Sequence, residues 1–203
     1  MNSIKFNGNL VMPPKVVCVG RNFVEHIKEL NNEMPKQIVI FNKPNSAISS
    51  KLKFFSGTHR FEGELCFLIK GGKIAGVGFG LDITDKKAQD YAKLKGLPWE
   101  RAKAFDGSAV FSDFIEFNGD IHALSFKLYI NGKLQQHGNI ELMIHKPQEI
   151  LKQIQNFQTL QDYDIIMTGT PKGVGSYKIG DEFKAAVYEN GREILNCAFK
   201  AKI

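Results

Sequence analysis

The sequence predicts an α+β protein that is mainly β. Apolar residues alternate along 124–130 and stop at Asn131-Gly132, the strongest hairpin signal in the chain. Helical spacing is confined to a few short segments. The last third adds three strand-like runs, at residues 165–168, 183–188 and 194–202.

Length and composition predict a single domain, residues 1–203. The chain is 43% hydrophobic and 24% charged, which is typical of a globular protein with one sizeable core. The net charge is +6, but the 27 Lys and Arg residues are scattered and follow no nucleic-acid-binding pattern. We therefore expect a small anionic substrate as partner and no nucleic acid.

The cysteines and the apolar runs predict the cellular location of the protein. Cys18, Cys66 and Cys197 are odd in number, far apart and surrounded by apolar residues, as reduced core thiols are. No signal peptide opens the chain, and no apolar run reaches the roughly 18 residues of a membrane span. We expect a cytoplasmic protein without membrane contact.

The first third predicts a strand at residues 4–10, a second at 16–19 and a third at 38–41. Between the last two, Asn22 can cap a short helix. On that helix His26 and Glu29 are three residues apart, so both lie on one face. Such a pair can form a general base, because the carboxylate fixes the imidazole tautomer and raises its basicity. An ordinary surface pair has the same spacing.

An acidic strand is predicted at residues 62–69. In an extended strand, Glu62 and Glu64 project to the same face, and Asp82 follows downstream. Three carboxylates without an interleaved Cys or His suit hard ions such as Mg²⁺ or Mn²⁺ better than Zn²⁺. On spacing alone, a solvent-exposed face of an edge strand explains the pair better.

Glycine marks the next segments. The run 76–80 lacks the spacing of a dinucleotide loop, so it predicts a strand packed closely against other backbone. A helix is predicted from about Asp85 to Lys95, ended by Gly96. Pro147 can open another helix with four core positions. Those positions are Ile150, Leu151, Ile154 and Phe157.

The loop 168–175 is rich in glycine and threonine. It has no Gly-Lys-Ser/Thr triplet and is not a phosphate-binding P-loop. Backbone N–H groups and hydroxyls of such a loop can still bind an anion. An ordinary connecting turn remains the alternative.

Taken together, these segments resemble the fumarylacetoacetate hydrolase family, in particular its small acylpyruvate hydrolase and oxaloacetate decarboxylase members. The resemblance covers nearly the whole chain, and its order makes it specific. The matching segments are Cys18–Phe23 with His26 and Glu29, Phe41–Pro44, Glu62–Leu65, Leu81–Thr84 with Gln89, Gly96–Trp99, Arg101–Phe105, Asn131-Gly132 with Gln136 and Gly138-Asn139, and Thr168–Gly175.

The resemblance implies a rolled, mixed β-sheet with peripheral helices, assembled as a homodimer. It also implies a role for individual residues. The implied metal ligands are Glu62, Glu64 and Asp82, with Mg²⁺ or Mn²⁺. The implied catalytic residues are His26, Glu29 and Lys103, and the implied substrate contacts are Arg21, Lys43, Gln89, Gly169 and Thr170.

The activity that we expect first is metal-dependent hydrolysis of the carbon–carbon bond of short 3-acylpyruvates, yielding pyruvate and a carboxylic acid. Decarboxylation or keto–enol tautomerisation of oxaloacetate is the alternative, because both use the same enolate chemistry. A non-catalytic protein that binds a keto acid is the alternative of another class; retention of His26 and Glu29 argues against it.

Three departures from the family pattern concern the surroundings of the site. The segment between the acidic strand and the aspartate strand is short, from Lys70 to Leu81. Lys86-Lys87 replaces an Arg-Asp pair, so a bidentate cation is lost. Residues 106–109 replace a proline-containing segment. None of the departures removes an implied metal ligand.

Overall fold

The computed structural model describes residues 1–29 and 37–203, apart from the side chains of residues 26–28. It confirms a mainly β fold in which a curled, mixed sheet carries peripheral helices. The strands are β1 Ile4–Phe6, β2 Asn9–Val11, β3 Lys15–Gly20, β4 Val39–Pro44, β5 Ile48–Ser49, β6 His59–Phe61, β7 Gly63–Lys70, β8 Lys73–Asp82, β9 Thr84–Asp85, β10 Ala109–Phe111, β11 Ile115–Glu116, β12 Leu124–Ile130, β13 Lys133–Asn139, β14 Ile165–Met167, β15 Gly175–Ser176, β16 Glu182–Glu189 and β17 Arg192–Lys200. The α-helices are α1 Val24–Glu29, α2 Lys86–Lys95, α3 Glu100–Lys103 and α4 Pro147–Gln155.

The larger sheet has the strand order β4-β3-β14-β7-β8-β10-β5, and β11 also pairs with β8. It is mixed, because β14 is parallel to β3 and β10 is parallel to β5, whereas the other pairs are antiparallel. Strands β7 and β8 join through a Gly71-Gly72 turn in which both residues have positive φ. Their register brings the acidic end of β7 to the aspartate end of β8.

The glycines of β8 make room for aromatic rings. A Cβ at Gly78 would lie 2.8 Å from the Phe114 ring, and one at Gly80 would lie 2.9 Å from the Phe111 ring. The sequence predicted close packing against backbone here. The structure confirms the close packing, but side chains form most of the contact, because alternate glycines open one face of the strand.

A second, antiparallel sheet with the order β13-β12-β16-β17 covers one face of the first. Phe79 of β8 and Phe126 of β12 meet there with ring centroids 5.4 Å apart, in the largest cluster of buried side chains. Ile150 and Ile154 of α4 join that core. Phe157 was predicted to be a core residue and is not: it lies beyond the end of α4 and its side chain is 65% exposed.

Two tight turns compare directly with the sequence predictions. The Asn131-Gly132 hairpin is confirmed, and β12 has the predicted bounds. The single strand predicted at residues 4–10 is wrong, because Asn7 and Gly8 take positive φ and fold the segment into a hairpin of β1 and β2.

Two further expectations concern thiols and membranes. Cys18 and Cys66 are buried and Cys197 is half-buried, all three as free thiols. Among the described residues, no helix has the length and apolar character that crossing a membrane requires.

Candidate metal centre

Three carboxylates converge where β7 and β8 meet. Glu62 lies between β6 and β7, Glu64 is on β7, and Asp82 ends β8. One oxygen from each lies within 4.8 Å of the others. The Asp82 N–H donates to the Glu62 carbonyl at 2.8 Å, so main-chain pairing holds the ends together. The three carboxylates that the family resemblance implies as metal ligands therefore lie together, and of the three only Glu62 is partly exposed.

Lys103 lies between two of these carboxylates. It ends the short helix α3, and its buried Nζ donates to Glu62 Oε2 at 2.9 Å and to Asp82 Oδ2 at 2.7 Å. A third hydrogen bond reaches Thr84 Oγ1 at 2.6 Å. Burial opposes its charge, but Asp82 and Glu62 outweigh burial and raise the pKa of Lys103. The side chain is thus a fixed ammonium at the edge of the cluster.

Lys43 is a second, fully buried lysine that contacts the cluster. Its Nζ lies 2.8 Å from Asp82 Oδ1 and donates to the Lys103 carbonyl and, at 3.1 Å, to Ser108 Oγ. The sequence reading placed Lys43 among the substrate contacts. In the structure its ammonium connects Asp82 to the end of α3, and its contact with substrate stays a prediction.

Neighbouring charges separate the pKa values of the two buried carboxyls. Burial raises the pKa of Glu64 well above its usual value, and Asp82 and Glu62 raise it further; the Gly169 N–H, 2.7 Å from Glu64 Oε2, opposes this. Burial also acts to raise the pKa of Asp82, but Lys103 and Lys43 outweigh burial and lower it. The two lysines therefore favour the charged form of Asp82, whereas burial and the neighbouring carboxylates disfavour the charged form of Glu64.

The donor set fits a hard divalent cation. All three groups offer oxygen, as Mg²⁺ and Mn²⁺ prefer. Asp82 Oδ1 is buried and lies 2.8 Å from the Lys43 ammonium, which compensates its charge inside the protein. The fit to a divalent cation therefore rests on the three oxygen donors and on their short mutual distances.

The glycine-rich loop after β14 uses its donors within the protein. The Gly169 N–H binds Glu64, and the buried Thr170 hydroxyl donates to the Gly63 carbonyl at 2.9 Å. Both residues were expected to contact substrate. Their hydrogen bonds in this structure orient the acidic strand, and their contact with substrate stays a prediction.

Gln136 of β13 is a supporting residue to which the sequence reading assigned no role. Its Oε1 accepts from the Gly63 N–H at 2.9 Å, and its Nε2 donates to Thr170 Oγ1 at 2.8 Å. It therefore joins the acidic strand to the glycine-rich loop. Its place in a hairpin strand with exposed neighbours gave no signal; only its match to the family pattern marked it.

The proposed base lies on α1. Glu29 accepts a hydrogen bond from the Gly173 N–H at 3.1 Å, and Glu25 pairs with Lys172 at 2.7 Å. These contacts attach α1 to the glycine-rich loop. His26 is on the same helix, but its side chain lies outside the described residues, so the contact between His26 and Glu29 stays a prediction.

The other two residues expected to contact substrate are Gln89 and Arg21, and that role stays a prediction for both. Gln89 is buried on α2, which follows Asp82 by a short connection. Arg21 follows β3 with φ at +57°, and its Nε is buried without a hydrogen-bond partner among the described residues.

Known proteins resemble this chain in both sequence and fold. The family model for the fumarylacetoacetate (FAA) hydrolase C-terminal region matches residues 15–197. Oxaloacetate tautomerase YcgM of Escherichia coli is 38% identical over 187 residues, covering 83% of this chain and 85% of that protein. A putative fumarylacetoacetate isomerase/hydrolase from Oleispira antarctica superposes with a TM-score of 0.92 at 33% identity, covering 99% of this chain and 100% of the other. Fumarylpyruvate hydrolase from Pseudomonas aeruginosa, solved with Mn²⁺ and pyruvate, has a TM-score of 0.89 at 25% identity and covers 100% and 96%.

Proposed function

Because this chain belongs to the fumarylacetoacetate hydrolase family, we propose that it is a divalent-metal-dependent oxaloacetate tautomerase. The observation that carries the proposal is the cluster of Glu62, Glu64 and Asp82, with the Lys103 ammonium held against it. The similarity to YcgM supports oxaloacetate as the substrate. It favours the reaction that the sequence analysis placed second over acylpyruvate hydrolysis, which it placed first.

Glu62, Glu64 and Asp82 would hold Mg²⁺ or Mn²⁺. Once bound, such an ion supplies Lewis acidity towards the 2-oxo acid end of the substrate. Lys103 and Lys43 lower the pKa of Asp82 and so favour its charged form, whereas burial raises the pKa of Glu64 and opposes its charged form. Metal affinity should therefore fall as the pH is lowered.

Tautomerisation moves one proton and breaks no carbon–carbon bond. A base removes a proton from C3 of oxaloacetate, and the oxygen on C2 gains one. We assign the base to His26, assisted by Glu29, on the strength of the family resemblance. The Lys103 ammonium stabilises the negative charge that develops on the oxygen, because the two carboxylates hold it at the cluster.

Acylpyruvate hydrolysis is the second candidate. It is supported by the similarity to a fumarylpyruvate hydrolase and by the presence of both His26 and Glu29, which can activate water. Decarboxylation of oxaloacetate needs only the same enolate chemistry. A binding protein without catalysis would not need the His26 and Glu29 pair.

The deciding experiment compares the activities in one preparation. Tautomerisation is measured from the ultraviolet absorbance of the enol of oxaloacetate. Pyruvate release is measured with oxaloacetate, acetylpyruvate and fumarylpyruvate as substrates. Each assay is run with Mg²⁺, with Mn²⁺ and with a chelator. We expect enol–keto conversion to be the fastest and to be lost with the chelator. Pyruvate release from an acylpyruvate that exceeds tautomerisation overturns the proposal in favour of hydrolysis.

Two variants test the assigned groups. Glu64→Gln should abolish metal-dependent activity, because one of three ligands is lost. His26→Ala should lower turnover by about 100-fold or more while metal binding stays intact, as loss of a general base does. Full activity of either variant refutes that assignment.

We also propose that the protein is a homodimer, as the family resemblance implies. Analytical ultracentrifugation of the purified chain tests this directly: a single sedimenting species with the mass of one chain would refute it.

A further inference from the structure

One face of helix α2 carries two polar residues, Gln89 and Lys93, at increasing distance from Asp82 along the chain. It begins directly after β9, which follows Asp82 by one residue, and Asp85 caps it. Gln89 and Lys93 are four residues apart and so lie on the same face. At 1.5 Å per residue, Lys93 lies about 6 Å farther along the axis than Gln89. If Gln89 borders the site, Lys93 borders its outer end.

Lys93 is a half-buried cation, with Nζ 5.7 Å from the centre of the Trp99 ring. Its ammonium forms no hydrogen bond and no ion pair with any residue in the described ranges 1–29 and 37–203, and the negative charges of Asp90 and Glu62 act on it without direct contact. Burial lowers its pKa, and the nearby charges of Lys86 and Arg21 lower it further. Lys86 is already neutralised by Asp90, one turn along the helix.

Arg21 is the second cation of this region. Its backbone is in the left-handed region at φ +57°, which costs a non-glycine residue free energy of order 1 kcal/mol and marks a constrained position. Its Nε is buried and has no acceptor within the described part of the chain. A buried guanidinium nitrogen without an acceptor is unfavourable, so the position suits a bound anion.

An aromatic wall connects these cations to the acidic cluster. The rings of Phe41 and Trp99 pack with centroids 5.8 Å apart. Lys103 lies over Phe41 at 5.3 Å, and Lys93 lies over Trp99 at 5.7 Å. A Cβ on Gly20, the residue before Arg21, would contact both rings. Lys103, at the acidic cluster, thus lies over one ring and Lys93 over the other. Arg21 is near enough to act on the charge of Lys93, and among the described residues neither Lys93 Nζ nor Arg21 Nε has a hydrogen-bond acceptor.

We propose that Lys93 and Arg21 form a subsite for the second carboxylate of a dicarboxylic 2-oxo acid. The inference rests on the proposed function, because it assumes that the 2-oxo acid end of the substrate binds at the acidic cluster. A dicarboxylate places its second charge where the two cations lack a partner, whereas the neutral tail of a simple acylpyruvate leaves both unpaired. The subsite therefore selects short dicarboxylates such as oxaloacetate over keto acids of equal length with a neutral end.

The test is a binding comparison that needs no turnover. Malate and 2-hydroxybutyrate share the 2-hydroxy acid end, and 2-hydroxybutyrate lacks the second carboxylate. Titration calorimetry of the Mn²⁺-loaded full chain should show that the wild type prefers malate. Lys93→Met should weaken malate binding by about 10- to 100-fold, the value of a charge-assisted hydrogen bond, and leave 2-hydroxybutyrate unchanged.

Two control variants make the result specific. Lys93→Arg keeps the charge and should retain most of the preference. Lys95→Met removes the same charge from an exposed position on the same helix, and its preference for malate should equal that of the wild type. The subsite is overturned if the wild type shows no preference for malate, including the case in which it binds neither acid. It is also overturned if Lys93→Met and Lys95→Met weaken malate binding equally.

The two proposals can fail separately. If oxaloacetate is not tautomerised but malate is preferred through Lys93, the subsite stands and the assigned reaction is wrong. If oxaloacetate is tautomerised without any preference for dicarboxylates, the reaction stands and the subsite is wrong. In kinetic terms, Lys93→Met should raise KM for oxaloacetate and change kcat little, because the second carboxylate does not react.

Discussion

The two sides of the proposed active site are built differently. The buried side consists of Glu62, Glu64 and Asp82 with Lys43 and Lys103, and its hydrogen bonds run between side chains shielded from water. The surface side consists of α1 and residues 172–173, joined by the pair of Glu25 and Lys172. Both of these side chains are more than 60% exposed.

The difference in burial between the two sides matches what each side has to do. A metal site requires ligands held at fixed separation, and the buried side achieves this with strand pairing and two lysines that counter the carboxylate charges. The helix that carries the proposed base rests on contacts that water screens. Substitutions in the buried side should therefore cost stability as well as activity, and substitutions in the surface side should cost activity alone.

The largest effect is expected from Asp82→Asn. It leaves Lys43 and Lys103 buried with less compensating charge, so the metal-free protein should lose about 3–5 kcal/mol of unfolding free energy. Urea denaturation measures this. Asp113→Asn breaks an exposed pair with Lys5, 3.9 Å long, and serves as the control with a change within about 0.5 kcal/mol. Equal losses in the two variants would remove the distinction between the two sides.

A smaller effect is expected from Gln136→Met. The Gly63 N–H and the Thr170 hydroxyl each lose a partner inside the protein, which should cost about 1–3 kcal/mol. Denaturation and hydrogen exchange at the Gly63 amide measure the loss. Gln135→Met is the matched control: its side chain donates to the Gly173 carbonyl at the surface, and exchange at Gly63 should stay slow. Unchanged exchange in Gln136→Met would contradict the role given to this residue.

On the surface side, Lys172→Ala should leave the melting temperature of the protein unchanged. Its partner Glu25 is exposed, and water replaces the lost contact. We expect kcat to fall by no more than a few-fold, because the Glu29 contact with the Gly173 N–H still holds α1. Circular dichroism melts and steady-state kinetics measure the two quantities. A clear drop in melting temperature would show that this side, too, is part of the stable frame.

The smallest effect concerns pH. His59 lies on β6 just before the acidic strand, between the rings of Phe55 and Phe105, and burial lowers its pKa. The unfolded chain then binds a proton more readily than the folded one, so stability rises with pH through the window at and below about 6.5. Between about pH 7 and pH 5, the wild type should lose more unfolding free energy than His59→Gln. Parallel pH curves would exclude this effect.

Much of the framework followed from local rules. The bounds of β12, the Asn131-Gly132 hairpin and the Gly96 end of α2 were predicted because alternation, turn residues and caps act over a few residues. Phe157 was misplaced because helical spacing continues past the last turn of α4, and burial depends on what packs there. The Asn7-Gly8 turn carried a usable signal that the prediction of one continuous strand overlooked.

The acidic cluster shows what local rules leave open. Spacing placed Glu62 and Glu64 on one face, but an exposed pair would have looked the same in the sequence. The structure distinguishes the two cases because Asp82, Lys43 and Lys103 approach from separate elements and exclude water. No local sequence pattern marked Gln136 or Lys93. The role of Gln136 depends on Gly63 and Thr170, which are distant in the chain, and the role proposed for Lys93 depends on its burial.

By itself, the sequence determined the class of fold, the family, and the residue types that a hard cation and a 2-oxo acid require. Only the tertiary structure decided which of those groups meet, which are buried and which cations lack a partner within the described part of the chain. The reason is physical. Propensity and periodicity act between neighbours, whereas desolvation and charge pairing depend on contacts between residues as far apart as Lys43 and Lys103.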